Sequence, residues 1–186
     1  EPLIRNVSDT ARWVAAYRAW ETARKDAVFQ DPFAKQLAGE RGEEIAREMD
    51  KASNRGAQWA IVARTYLMDK AIAERVPEGI DMVINLAAGL DSRPYRMQLP
   101  PTLKWIELDL PGILDYKANI LKDAKPVCQL EQIAVDLSDK AKRKEVLTKV
   151  LEQAKKALVI SEGLLVYLKE EEVVSLTKEL HEQTKI

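Results

Sequence analysis

At 186 residues the chain has the length of one domain with a single sizeable core, so a two-domain arrangement is not expected. Its 46% hydrophobic and 32% charged residues exclude a disordered or fibrous chain, and a formal net charge of -1 supplies no broad field for a nucleic-acid or membrane partner. The single cysteine, Cys128, excludes an internal disulfide framework, no apolar run is long enough for a transmembrane helix, and a reduced, cytoplasmic setting is the default expectation. Residue 1 is Glu, so sequence ahead of it is expected in the natural protein.

Residues 1–76 read as a helical extension. Ser8 or Asp9 can cap a first helix, in which Trp13, Ala16, Tyr17 and Trp20 recur at one-face spacing. Asp31-Pro32 is a second start signal, because proline's missing N–H costs nothing at the first helical position. Gly39 and Gly42 then divide two short pieces, and a longer helix runs from about Gly56 to Arg75, halted before Pro77. Its expected buried face is Trp59, Val62, Ala63, Tyr66 and Leu67.

From residue 77 to 186 short apolar runs alternate with helical stretches, which predicts βαβ construction, a mainly parallel sheet and an α/β fold that forms one domain with the extension. Strands are expected at Met82–Leu86, Lys104–Leu108, Gln132–Val135 and Ala157–Ser161, each continuously apolar as when helices cover both faces. Helices are expected at Pro111–Asp123, Asp139–Gln153 and Glu170–Glu182. Four strands are few for an open doubly wound sheet, and the chain stops in a charged helix, so further sequence or another subunit is expected at the exposed edge.

In such a sheet ligands bind beyond the carboxyl ends of the strands. Those ends carry Leu86-Ala87-Ala88-Gly89-Leu90-Asp91, Glu107-Leu108-Asp109, Asp136-Leu137 and Ser161-Glu162-Gly163. Gly89 lets backbone approach a ligand closely, but the loop is not G-x-G-x-x-G, which argues against a dinucleotide and so against a nicotinamide oxidoreductase. Asp109 can accept from the vicinal hydroxyls of a ribose or cap the helix near Pro111, and Glu107, two residues away on the same side of the strand, competes for the ribose role. Asp136 is either a helix cap or an acceptor for the adenine amine, with the Leu137 N–H available to a ring nitrogen. Glu162 ends a strongly apolar strand, where an unpaired carboxylate is costly, and Arg64 sits among apolar helix residues, where it either snorkels to water or meets an anion. An acid and a base together suit the amino-acid end of a sulfonium cofactor.

At these residues the sequence resembles the leucine carboxyl methyltransferase family and its bacterial branch of S-adenosylmethionine-dependent enzymes. The likeness spans nearly the whole chain. It rests on Val7-Ser8-Asp9-Thr10-Ala11, Asp31-Pro32-Phe33-Ala34, Ala63-Arg64-Thr65, Leu86 to Arg93, Glu107 to Pro111, Val135-Asp136-Leu137 and Ser161 to Leu168, in that order and spacing. The resemblance implies a Rossmann-like methyltransferase fold whose helical N-terminal extension covers the active site. It implies S-adenosyl-L-methionine as cofactor, with Arg64 holding its carboxylate, Gly89 its amino-acid end, Asp109 the ribose, Asp136 and Leu137 the adenine, and Glu162 the amino group or nearby backbone. A lysine that touches the cofactor in eukaryotic members has no counterpart in Thr10-Ala11-Arg12, where Arg12 is the candidate substitute.

The expected activity is O-methylation of a carboxylate or hydroxyl on a small molecule or peptide terminus. A carboxylate acceptor is already ionised at neutral pH and needs no general base, and this suits a chain whose only histidine, His181, lies in a charged helix. No metal-ligand spacing and no nucleophile elbow is present. Tyr17, Trp20 and Tyr167 are the candidates to line the acceptor pocket, against the alternative that they are core. A module that binds the cofactor without turnover is the competing reading.

Overall fold

The computed structural model describes residues 2–53 and 56–186. Helix α1 spans Val7–Thr22 and is capped by Asn6, whose side chain accepts the Asp9 N–H at 3.0 Å. The caps expected at Ser8 or Asp9 therefore lie inside the first turn, since an asparagine two residues upstream does the same work. The Asp9 carboxylate instead accepts from the Arg5 N–H and from Arg41 Nη2.

Helix α2, Ala34–Ser53, begins two residues after Pro32 and is kinked at Gly39, whose φ of +59° is open to glycine. Gly42 does not break it. A Cβ there would lie 2.5 Å from the Arg12 carbonyl oxygen, so this glycine exists for the close packing of α2 on α1.

Helix α3 spans Gly56–Arg75, as expected, but of its expected buried face only Val62 is covered. Ile61, Val62, Thr65 and Ile72 are buried, whereas Trp59, Tyr66 and Leu67 are 50%, 43% and 61% exposed and Ala63 is exposed too. The helix is apolar on two sides, and periodicity alone could not choose between the stripe of Ile61, Thr65 and Ile72 and the one opposite.

Four strands follow: β1 (Met82–Leu86), β2 (Lys104–Asp109), β3 (Gln129–Ala134) and β4 (Ala157–Ser161). They form one wholly parallel sheet in the order β3-β2-β1-β4. Central β1 is buried at every residue, but edge strand β3 begins three residues earlier than expected and has an incompletely covered, mixed burial pattern. The short helix α4, Arg93–Arg96, has no counterpart in the expected elements; α5 spans Pro111–Ile120, α6 Lys140–Glu152 with Asp139 as its cap, and α7 Glu170–His181.

One side of the sheet packs Leu86, Ile106 and Leu108 against Leu147, Leu151 and Leu176 of α6 and α7. The other packs Val83, Trp105 and Ile160 against Ile72 and Val76. Two buried charge pairs pin elements to this core. Lys117 of α5 donates to Glu107 of β2 at 2.6 Å with both side chains fully buried, and Arg143 of α6 meets both oxygens of Glu179 of α7 at 2.9 and 2.8 Å. Burial pushes the Cys128 thiol to about 11, with the Glu107 charge adding to it, so this cysteine is a packing residue at neutral pH. No helix among the described residues is long and apolar enough to cross a membrane.

Candidate functional site

The strands end in register. Leu86 is level with Leu108 and with Ser161, and Asp109 with Ala134, so the residues that follow them form one row along the carboxyl edge. Strands lie roughly 4.8 Å apart, and three steps from β3 to β4 make a row about 14 Å long. Asp136 stands at one end of it, then Asp109, then Gly89, then Glu162 at the other.

The β1 loop turns on two positive-φ residues, Ala87 at +56° and Gly89 at +53°. A left-handed alanine is strained, and the Ala87 and Ala88 N–H groups hold the turn by donating to the Leu108 carbonyl of β2 at 2.8 and 3.3 Å. Gly89 is covered by α1, with Ala11 at 3.6 Å from where its Cβ would be. Its N–H donates to Asp109 Oδ2 at 2.6 Å, and the Leu110 N–H donates to the other oxygen at 2.7 Å. Burial raises the Asp109 carboxyl above its ordinary value, and these two amides only partly offset that. Two acceptor positions of the carboxylate remain for hydroxyl donors. Glu107 has no such freedom, because Lys117 takes one oxygen and Gln132 the other in the fully buried core.

At the far end of the row Arg64 of α3 reaches Glu162, its Nε donating to Oε1 at 2.9 Å. Arg64 is 39% exposed at the side chain, and among the described residues its two terminal nitrogens have no hydrogen-bond partner. They adjoin Gly163, whose Cβ would lie 4.0 Å from Nη1. Arg93 Nη1 donates to the second Glu162 oxygen at 2.5 Å, and Arg93 also meets Asp69 and Asp91. Burial by itself would raise the Asp91 carboxyl, but the charges of Arg93 and Lys117 outweigh it and hold the group at about 2.

Asp136 and Leu137 follow β3. The Asp136 carboxylate is exposed and bonds the N–H and hydroxyl of Ser138, while the helix cap is Asp139. Leu137 is buried, with its carbonyl accepting from Arg143 at 2.6 Å.

Of the three aromatic candidates, Tyr17 and Trp20 meet edge-on on α1, while Tyr167 stands in the turn after β4. Tyr17 is fully buried between Trp13 and Trp20, edge-on to both, and belongs to the core of α1 and α2 because the helix side that carries it faces Leu37 and Ala46. Trp20 donates to Glu43 and lines a groove with Arg24, Asp50, Gln58 and Trp59. Another groove is lined by Pro32, Phe33, Gln36, Gly39, Glu43 and Arg47, and neither includes a strand-tip residue. Tyr167 is 52% exposed in the turn after β4. Arg12 lies over the Tyr116 ring at 4.2 Å, and His181 is exposed at the end of α7.

Sequence reasoning missed the charges behind this edge. Asp31, read as part of a helix start, does accept the Phe33 N–H at 3.2 Å, but it is also 1% exposed and accepts from Arg18 at 2.8 Å and from the Ser92 hydroxyl at 2.7 Å, while Arg18 also donates to the Leu90 carbonyl at 2.6 Å. Asp69 receives both Arg93 and Arg96. The one available signal was the density of charge in Asp91-Ser92-Arg93 and Arg96 directly after an apolar strand.

The model of the leucine carboxyl methyltransferase family matches residues 11–181. The chain belongs to the leucine carboxyl methyltransferase family. Within it, a Streptomyces coelicolor protein named "Putative S-adenosyl-L-methionine-dependent methyltransferase" is 33% identical over 94% of this chain and 64% of its own length. A Frankia alni protein similarly named is 34% identical over 90% of this chain and 61% of its own. The chain thus spans less than two-thirds of the length of these family members. Among solved structures, an O-methyltransferase family protein from Burkholderia thailandensis aligns over 92% of this chain and 47% of its own with a TM-score of 0.45 and 19% identity.

Proposed function

We propose that the chain is the cofactor-binding part of an S-adenosylmethionine-dependent O-methyltransferase acting on a carboxylate or hydroxyl of a small molecule or peptide terminus. The observation that carries this reading is the pairing, along one sheet edge, of an acid bonded to the glycine loop and an arginine with open terminal nitrogens braced by the last strand. These are the groups that the two ends of an adenosyl amino acid require.

The residues present fit that cofactor. Asp109 would hold the ribose hydroxyls, Gly89 would admit the amino-acid end past a position without a Cβ, and Arg64 would take the carboxylate. Asp136 is exposed and turned by Ser138 at the β3 end, where it and the Leu137 N–H would meet the adenine. Glu162 would sit beside the amino group, although both of its oxygens already serve arginines. When bound, the cofactor supplies a methyl group on a sulfonium, an electrophile that a carboxylate can attack without prior loss of a proton. The protein's part is positioning and exclusion of water. Ala11 over Gly89 makes α1 a roof for the loop, and Tyr167, exposed beside the β4 tip, is the member of the aromatic trio that remains for the acceptor side.

Calorimetric titration with S-adenosylmethionine, S-adenosylhomocysteine and NAD tests the reading. Binding of the first two and not of NAD is expected, and Asp109→Ala is expected to weaken that binding by about 1–3 kcal/mol, the scale of lost hydrogen bonds to a charged group. NAD binding in preference to both would refute it. Transfer of labelled methyl to added carboxylic acids and alcohols then separates an enzyme from a module that binds without turnover.

A further inference from the structure

Arg64 is the more exposed of the two arginines on Glu162, but its direction is set by groups behind it. Glu162 Oε1 takes its Nε, and Glu162 Oε2 takes Arg93 Nη1. The exposure of these side chains rises outward, from 3% for Arg93 through 19% for Glu162 to 39% for Arg64. Arg93 is held from three directions. Its Nε donates to Asp69 of α3 at 2.7 Å, Nη1 meets Asp91 of the β1 loop at 3.1 Å, and the same nitrogen meets Glu162 beyond β4. It is thus buried too deeply to touch a ligand, yet it joins the three segments that surround the arginine that can.

We propose that Arg93 is a positioning residue for the cofactor's amino-acid end: through Glu162 it fixes the Arg64 guanidinium so that its open edge faces a carboxylate. The physical reason is the planar fork. A guanidinium can bond several acceptors in fixed directions at once, whereas an ammonium on a flexible stem cannot hold the same geometry. With Nε pinned, Arg64 gives up rotamer freedom before the ligand arrives, and less is lost on binding. The inference rests on the S-adenosylmethionine reading.

The test compares affinities for S-adenosylmethionine and for its decarboxylated analogue, which keeps the ammonium and the nucleoside. Wild-type protein is expected to favour the carboxylate-bearing molecule. Arg93→Lys and Glu162→Gln are each expected to reduce that preference by about tenfold, the equivalent of one charged hydrogen bond; affinity for the analogue stays within about twofold in Arg93→Lys, whereas Glu162→Gln, beside the amino group that both molecules carry, weakens both and still lowers the ratio. A residue that only supports the fold would weaken both ligands alike. An unchanged ratio in the variants overturns the proposal, and should Arg93→Lys fail to fold, the ratio in the partly exposed Glu162→Gln decides it alone. Failure is separable from that of the underlying reading: wild-type protein that binds neither molecule removes the cofactor itself, whereas equal wild-type binding of both removes only the role of Arg64 and Arg93.

Discussion

Replacing Lys117 with methionine removes the charge that balances Glu107 while keeping a similar side-chain bulk. Both side chains are fully buried, and the carboxylate's remaining partner is the neutral amide of Gln132 at 2.9 Å. Left ionised, an unpaired buried carboxylate costs about 3–5 kcal/mol. Protonation is the other route: holding a proton at about pH 7 on a carboxyl with an ordinary value of 4.5 costs about 3 kcal/mol at roughly 1.4 kcal/mol per pH unit. Both routes lead to a loss of about 3–5 kcal/mol. Burial already raises the Glu107 carboxyl against the opposing Lys117 charge, and removing that charge raises it further. A carboxyl raised in the folded state stabilises below its unfolded value, and that stability is lost as pH rises through the folded value. The variant is therefore expected to be closer to wild type near pH 5 than near pH 8. Adding Glu107→Gln to Lys117→Met should recover most of the loss, because a neutral amide needs no counter-charge. Urea unfolding followed by tryptophan fluorescence measures all of this. A loss below about 1 kcal/mol with no pH dependence would show that the pair is not desolvated and refute the reasoning.

Other outcomes follow from the same structure. Gly42→Ala forces a Cβ to within 2.5 Å of the Arg12 carbonyl and should cost about 1–3 kcal/mol in urea unfolding, whereas Gly112→Ala, with nothing within 4 Å, should be neutral or slightly stabilising. Asp91, held at about 2 against an ordinary 3.8, contributes about 2 kcal/mol that is complete above about pH 4 and lost as pH falls through about 2; Asp91→Asn should flatten that part of the acid-unfolding curve. Because burial raises the Asp109 carboxyl, calorimetric affinity for S-adenosylmethionine should begin to fall at a higher pH than an ordinary aspartate would dictate, and Asp109→Asn should remove that dependence.

Strands β1 and β4 were legible to the residue, because each is a short, largely apolar run between breaks in the pattern, β1 buried at every residue and β4 covered in part at the sheet edge. The row of residues along the carboxyl edge of the sheet was legible for a related reason, as polar residues directly after such runs have few places to go but that edge. Where the sequence offered two equivalent apolar sides, as in α3, or an aromatic stripe with either of two neighbours, as at Tyr17, it could not say which side was covered. The charge network was hidden by distance along the chain. Arg93 and Asp69 are 24 residues apart, Ser92 and Asp31 61, Arg93 and Glu162 69, and Arg64 and Glu162 98, so no local pattern joins them.

That network decides how the helical extension relates to the sheet. Arg18 of α1 is buried, and it donates both to Asp31 ahead of α2 and to the Leu90 carbonyl of the β1 loop. Ser92 of that loop returns a bond to the same Asp31 oxygen. A charge buried on one segment and answered on another makes each a condition of the other, since separating them leaves an arginine or a carboxylate unpaired in a poorly solvated place. The conformation of the β1 loop, with its left-handed Ala87 and Gly89, is therefore set from above by α1 as well as from below by β2. An opening of α1 that admits a ligand over Gly89 must leave the Arg18–Asp31–Ser92 contacts intact, so such motion belongs to the first turns of α1, around Ala11, rather than to the helix as a whole.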